Sequence, residues 1–177
     1  AAGGDINGDG LVDFLIGAPG QDSGAPRGGA VYLITDPGST GYQLSLAASL
    51  EGAKLLGERE DDAAGTTVAM VGDLDGDSRD EIAVGAPEVD ASSTAQDAGA
   101  VYIFSGAEGG PDAVVDATLT GADSFAYTFT SSVTGLGDVN GDGADDLMVS
   151  DLDWDADVGS VHIFYGQPDT GGEDTGG

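Results

Sequence analysis

One acidic loop of nine residues occurs three times in this chain, and a short apolar run follows each copy. The copies begin at Asp5, Asp73 and Asp138. Side chains that carry oxygen atoms occupy loop positions 1, 3, 5 and 9, and glycine occupies position 4. Glycine permits the positive-φ bends that turn alternate side chains inward. The spacing therefore predicts a loop that can enclose one hard cation.

Each loop is predicted to bind a cation through the side chains of positions 1, 3, 5 and 9 and the backbone carbonyl of position 7. Calcium is the expected ion, with up to three Ca²⁺ in the chain. It takes about 6–8 oxygen ligands in flexible geometry, whereas magnesium requires a tighter octahedron and keeps its waters. The predicted ligands are Asp5, Asn7, Asp9, Leu11 and Asp13; Asp73, Asp75, Asp77, Arg79 and Glu81; and Asp138, Asn140, Asp142, Ala144 and Asp146.

The loop differs from an EF-hand, which requires a glutamate at position 12 and a helix on each side. Position 12 is Ile16, Val84 or Val149, and the flanking runs are short, β-branched and bounded by glycine or proline. These features favour strands. The acids at position 8, Asp80 and Asp145, are expected to point out of the site. A solvated Asp/Gly turn is the simpler alternative, but three copies in register disfavour it.

The loops belong to a longer repeat, because they begin 68 and 65 residues apart. A Gly-x-Val-x-Leu/Ile run keeps a similar spacing and starts at Gly29, Gly99 and Gly159. The motif Gly-Ala-Pro begins at Gly17 and Gly85 and is missing from the third copy. The chain is therefore expected to consist of repeated structural units.

Each unit is interpreted as a strand, the cation loop, a second strand, a turn, a third strand and a fourth strand. The fourth strand is expected at Leu44–Leu50 and Ala113–Leu119 in the first two units. Four short strands in a repeat of this length match one blade of a β-propeller. Apolar residues are consecutive in the second and third strands, as expected when neighbouring blades cover both faces of a sheet.

The combined pattern from Gly4 to Gly166 resembles the FG-GAP repeat, whose units build the seven-bladed propeller of integrin α subunits and occur in many bacterial surface and secreted proteins. The resemblance implies an all-β fold, an open arc of about two and a half to three four-stranded blades. It places the family's calcium ligands on the three loops described above and suggests a bacterial-type surface or secreted member. The Phe-Gly element is weak, since it is reduced to Ala64-Gly65 and Thr128-Phe129-Thr130.

The strand count divides the chain into four parts: residues 1–52, a partial blade without its first strand; 53–121, a blade; 122–166, a partial blade; and 167–177, a flexible Gly/Asp/Thr linker. A propeller needs about 4–8 blades. The rest of the propeller is therefore expected from a longer parent chain or, less favoured, from several copies assembled into a ring. Because only residues 1–4 precede the first loop, its site is expected to be the weakest.

The chain is strongly acidic, with a formal net charge of −29 and only four basic residues. Nucleic acids and anionic membranes require a basic surface and are excluded as direct partners. There is no cysteine, and no apolar run is long enough to span a membrane. Calcium loops of moderate affinity fill best where calcium is near millimolar, so an extracellular or cell-surface location is expected.

The favoured function is a calcium-binding module for adhesion or ligand interaction, with a protein or glycan ligand on the rim opposite the calcium loops. Trp154 belongs to that rim and either contacts the ligand or packs on the blade edge. The alternatives are the non-catalytic propeller of a secreted hydrolase or carbohydrate-active enzyme, and a purely structural spacer. Catalysis is not expected, because the clustered carboxylates serve the loops and His162 replaces the tyrosine of the other repeats.

Overall fold

The computed structural model describes residues 2–22, 25–35, 54–56, 60–90, 96–108, 110–111, 114–121, 129–152 and 159–168. In these ranges the chain is all β, which confirms the predicted fold class, and it contains no helix that could cross a membrane. The strands are β1 Ala2–Gly4, β2 Asp13–Ala18, β3 Ala30–Ile34, β4 Lys54–Leu56, β5 Thr67–Gly72, β6 Glu81–Ala86, β7 Ala100–Phe104, β8 Ala117–Thr120, β9 Ser132–Gly137, β10 Asp146–Asp151 and β11 Ser160–Tyr165.

The strands form three antiparallel sheets whose strand order follows the chain. The first sheet contains β1 to β4, the second contains β5 to β8, and the third contains β9 to β11. An acidic loop joins the first and second strands of every sheet. The four-stranded unit predicted from the repeat is therefore present in the first two sheets.

The middle sheet packs its two faces against its two neighbours. Val31 and Leu33 of the first sheet share an apolar cluster with Ile82 and Phe104 of the second. On the other face, a second cluster joins residues of the second and third sheets: Ala69, Val71, Ala83, Val101, Ile103, Val133, Leu147 and Val149. Every residue of β6 is buried as a result. This two-sided burial explains why the apolar run of β6 is continuous rather than alternating.

The third sheet leaves one apolar face uncovered in the described part of the chain. In β7, Val101 is 0% exposed and Ile103 is 6% exposed, because the third sheet covers them. Val161 and Ile163 occupy the same repeat positions in β11, yet they are 59% and 48% exposed. Tyr165 on the same face is 59% exposed. Side chains two residues apart share one face of a strand, so these three form an apolar strip.

The glycine of the Gly-Ala-Pro motif is required by close contacts around Gly85. A Cβ atom there would overlap Oγ1 of Thr67 on the paired strand and would lie 3.0 Å from Cβ of Thr130, which comes just before β9. The third copy has Ser150 at this position, and its hydroxyl donates to the carbonyl of Ser132 at 3.4 Å. The loss of the motif in the third copy thus coincides with the uncovered sheet.

The strand boundaries differ from the sequence-based division in the first unit. The sequence predicts that residues 1–52 lack their first strand, but Ala2–Gly4 pairs with β2 through Ala2 and Phe14. Lys54–Leu56 pairs with β3 and supplies the fourth strand, so this unit extends past residue 52. The predicted strand Leu44–Leu50 lies outside the described residues, as does most of the predicted linker 167–177. Small residues and glycine in 1–4 hide the first strand from a hydrophobic-pattern argument.

Substitution of the matched pair Ile103 and Ile163 tests the uncovered face. Ile103→Ala should lower the free energy of unfolding by about 2–4 kcal/mol, because it creates a cavity between two sheets. Ile163→Ala should change it by less than about 0.5–1 kcal/mol, because the side chain already contacts water. Urea denaturation of both variants measures the difference. Equal losses at low protein concentration would show that Ile163 is covered in solution.

Candidate cation-binding loops

The carboxylate at position 1 organises each loop, because it accepts hydrogen bonds from two or three backbone N–H groups further along the loop. In the second loop, Oδ1 of Asp73 accepts from Gly76 at 2.6 Å and from Asp77 at 3.0 Å. Its Oδ2 accepts from Ser78 at 2.8 Å. Asp138 repeats this pattern, and Asp5 accepts from two N–H groups. Such hydrogen bonds from the backbone to an aspartate side chain can hold a turn in place without a bound ion.

Positions 4 and 6 supply the bends that the sequence predicts. Gly76 has a φ of 79°, and the equivalent glycines in the other loops have similar values. Position 6 is also left-handed in all three loops, although the second loop has Ser78 there with a φ of 73°. A non-glycine residue in this region carries backbone strain. The second loop therefore keeps the common shape even where its sequence departs from it.

Three of the predicted ligands in the second loop lie together. Carboxylate oxygens of Asp73, Asp75 and Glu81, at positions 1, 3 and 9, are all within 4.8 Å of one another. This cluster of hard oxygen donors fits calcium. The position-5 ligand is placed differently, because Oδ2 of Asp77 accepts from Nη1 of Arg79 at 2.8 Å. Sequence spacing alone does not reveal that the arginine at position 7 pairs with the acid at position 5.

The first and third loops have asparagine at position 3, and this side chain bonds to position 5. Nδ2 of Asn7 donates to Asp9 at 3.0 Å, and Nδ2 of Asn140 donates to Asp142 at 2.8 Å. In both loops the Asn Oδ1 accepts from the backbone N–H of the same position-5 residue. The predicted ligands at positions 3 and 5 are therefore in contact with each other in the first and third loops.

The position-9 carboxylate has a structural role that the motif alone does not show. Asp13, Glu81 and Asp146 are at most 1% exposed, and each accepts from the backbone N–H of position 2 in its own loop. The second oxygen of Glu81 accepts from Gly106 at 3.2 Å, and that of Asp146 accepts from Gly166 at 3.0 Å. In the second and third loops, position 9 therefore ties the loop to the glycine that lies just after the third strand of its sheet.

Burial changes the acidity of Glu81. Removal from water raises the pKa of this carboxyl from its usual 4.5 to about 7, with a smaller contribution in the same direction from the charges of Asp75 and Asp73. The N–H groups of Gly106 and Leu74 oppose this rise by stabilising the carboxylate. A cation beside Glu81 would favour the charged form.

The acids at position 8 reach the preceding sheet. Asp80 accepts from the backbone N–H of Asp5, and Asp145 accepts from the backbone N–H of Asp73. Asp80 is not part of the oxygen cluster formed by Asp73, Asp75 and Glu81 in its own loop. The contact of the position-8 acids with another repeat is a feature that a single-loop argument misses.

The opposite rim is described in part. Arg27, in the connection between β2 and β3, makes ion pairs with Asp61 at 2.9 Å and Glu88 at 3.6 Å. Trp154 lies outside the described residues. His162 is a β11 residue whose Nε2 is 2.8 Å from Oγ of Ser160, and its ring lies 5.7 Å from that of Phe129. These contacts agree with a packing role for His162.

Three stacked antiparallel sheets with an acidic loop at one end of each define a repeat protein of the propeller class. The FG-GAP repeat family model matches residues 1–34 and 64–104. The chain is 34% identical to integrin alpha-4 of Xenopus laevis over 148 residues, which cover 82% of the chain and 13% of that relative. It is 34% identical to integrin alpha-V of Gallus gallus over 153 residues, covering 82% of the chain and 14% of the relative.

Human integrin alpha-IIb gives a similar result, with 33% identity over 173 residues, or 93% of the chain and 15% of the relative. The chain therefore contains FG-GAP repeats, and its three antiparallel sheets are consistent with a segment of an FG-GAP β-propeller. The chain spans only about 13–15% of the length of these relatives.

The raised pKa of Glu81 predicts an unusual pH dependence for the calcium-free protein. Between pH 4.5 and about 7 the folded state retains a proton on Glu81 that the unfolded state releases. Stability without calcium should therefore fall as the pH rises through this window. Glu81→Gln cannot ionise at this position, so its free energy of unfolding should fall by about 1–3 kcal/mol less than that of the parent over the same pH range. Thermal unfolding in EDTA at pH 5 and pH 8 measures it, and parallel curves for both proteins would contradict the buried acid.

Proposed function

We propose that this chain is a calcium-binding propeller module in which each acidic loop holds one Ca²⁺. The observation that carries the proposal is the group of Asp73, Asp75 and Glu81 oxygens within 4.8 Å of one another. Three carboxylates at such distances repel one another in the absence of a cation. The resemblance to FG-GAP repeats supports calcium as the ion, and the oxygen-only donor set is the one calcium prefers.

The ligands proposed for each ion are the side chains of positions 1, 3, 5 and 9 and the carbonyl of position 7. In the second loop, Asp77 would leave Arg79 and turn to the ion. That ion pair is about one-third exposed on both sides, and exposed pairs contribute little to stability. The exchange is therefore inexpensive, and the bonds from the N–H groups of Gly76 and Ser78 to Asp73 hold the loop ready for it.

At the level of the whole protein, we propose an extracellular or cell-surface module for adhesion or ligand interaction, without catalysis. The integrin names of the relatives support this reading. The ligand, a protein or a glycan, would bind the rim opposite the calcium loops. The apolar strip Val161, Ile163 and Tyr165 supports a further blade from the parent chain, since Val101 and Ile103, the β7 equivalents of Val161 and Ile163, are covered by the next sheet.

The two alternatives predict different behaviour. A non-catalytic propeller of a secreted hydrolase would bind calcium and dock on a catalytic domain of its own chain. A structural spacer would bind calcium and no external ligand. Neither has a specific observation in its favour among the described residues.

Calcium should stabilise the fold. With a Kd near 10⁻⁴ M, 1 mM calcium contributes about 1.4 kcal/mol per site. Asp77→Ala and Asp142→Ala should each remove one ion from the stoichiometry measured by isothermal calorimetry. Glu60→Ala, which removes one exposed carboxylate outside the loops, should remove none. A melting temperature that does not change between 1 mM calcium and EDTA would overturn the proposed function.

Ligand binding should depend on the rim opposite the loops. In arrays of matrix proteins and glycans with saturating calcium, Arg27→Glu should weaken binding of a captured ligand about tenfold or more. Arg79→Ala, a change to a cation on the calcium rim, should leave binding within about twofold. The reverse result would place the ligand on the calcium rim. No binding by the intact chain would favour the structural spacer.

A further inference from the structure

Each position-8 aspartate forms two bonds with the first residue of the preceding loop. Oδ2 of Asp80 accepts from the N–H of Asp5 at 2.6 Å, and the N–H of Asp80 donates to the carbonyl of Asp5 at 3.3 Å. In the next repeat, Oδ2 of Asp145 accepts from the N–H of Asp73 at 3.2 Å. The N–H of Asp145 donates to the carbonyl of Asp73 at 2.8 Å. The same two-bond contact thus joins both pairs of neighbouring repeats.

The second residue of each of these loops is held by the same neighbour. The carbonyl of Ile6 accepts from the N–H of Ala107 at 3.0 Å, and the carbonyl of Leu74 accepts from the N–H of Gln167 at 2.8 Å. Ala107 and Gln167 follow the third strand of the following sheet. The first two loops are therefore fixed at positions 1 and 2 by the repeat that comes after them.

The glycines that precede the first two loops lie close to the carboxylate of the neighbouring repeat. A Cβ atom at Gly72 would overlap the carboxylate of Asp145, and one at Gly4 would lie 2.9 Å from Oδ2 of Asp80. At Gly137, before the third loop, a Cβ atom would meet nothing within 4 Å. A small residue is needed where the neighbour's acid is docked.

The third loop lacks this support in the described part of the chain. No acidic side chain there accepts from the N–H of Asp138, because no following repeat is present among those residues. Its position-2 residue, Val139, is 55% exposed, whereas Ile6 at the same position is 0% exposed. The first and third loops have nearly identical sequences, so this difference in exposure comes from the following repeat that packs on the first loop.

We propose that Asp80 and Asp145 are positioning residues that set the calcium affinity of the preceding loop, so that the affinity of one repeat depends on the next. The inference rests on the proposed function, because it concerns the same calcium loops. Asp73 and Asp5 each offer a side chain to the ion while their backbone is fixed by the neighbour. Fixing the backbone in advance lowers the conformational cost of binding, and the neighbour's negative charge adds attraction for the cation.

This arrangement reverses the order expected from the sequence. The first loop has β1 before it and Asp80 against it, so it is well supported. The third loop is the weakest of the three in this chain. A further repeat that covers Val161 and Ile163 would bring its own position-8 side chain to Asp138 and raise the affinity there. Calcium occupancy would then report whether neighbouring blades are in place.

The test is a calcium titration followed by ¹H–¹⁵N NMR, in which the amides of Gly8, Gly76 and Gly141 report the three loops separately. Asp145→Ala should raise the Kd of the second loop about tenfold, and leave the third loop, to which residue 145 belongs, within about twofold. Asp80→Ala should do the same to the first loop and spare the second. Asp145→Asn keeps an acceptor oxygen and should restore most of the second loop's affinity.

A calcium-free measurement separates the two proposals. In EDTA, the amide proton of Asp73 should exchange with solvent about tenfold faster in Asp145→Ala than in the parent or in Asp145→Asn. If the parent binds no calcium but this exchange pattern holds, the contact is real and the calcium function fails. If calcium binds but each variant weakens only the loop that contains it, the positioning role is overturned. A third loop that binds tighter than the other two would also overturn it.

Discussion

Hydrogen bonds from backbone N–H groups to aspartate and glutamate carboxylates are the interaction on which this structure depends. Within a loop, Asp73 gathers the N–H groups of residues 76–78 and creates the bend. At the base of the loop, Glu81 joins it to the third strand. Between repeats, Asp145 joins one loop to the next. Bonds to charged acceptors are stronger than neutral ones, and they bring acids together at sites where a cation would then be favourable.

The acidic composition and the packing of the β-sheets are thus related, because the acids lie in loops that the packed sheets bring together. The sheets stack because the middle sheet buries apolar residues on both faces, as β6 shows, and this stacking brings the loops of adjacent repeats into contact. Glycine permits the approach at Gly72, where a side chain would collide with the carboxylate of Asp145 in the next repeat. The proposed calcium binding would therefore be coupled to stability through the same repeat-to-repeat interfaces, as expected for a quasi-one-dimensional repeat protein.

The repeat spacing and the loop motif were sufficient to predict the fold class, since the distances between Asp5, Asp73 and Asp138 and the apolar runs after them determine strand, loop and strand. Short strands made of small residues, such as Ala2–Gly4, carry no hydrophobic pattern and could not be found that way. The proposed ligand positions come from the same spacing and stay a prediction, although the oxygens of Asp73, Asp75 and Glu81 do lie together. The pairing of Asp77 with Arg79 and the reach of Asp145 to Asp73 depend on three-dimensional packing, which a loop considered alone does not contain.

A crystal structure of the chain grown in calcium, with anomalous scattering to identify the ions, tests the central claim most directly. The account predicts one ion in each loop, at about 2.3–2.6 Å from oxygens of positions 1, 3, 5, 7 and 9. It further predicts that Asp77 has left Arg79 for the ion. Loops without ions at saturating calcium, or an ion bound elsewhere with Asp77 still paired to Arg79, would contradict it.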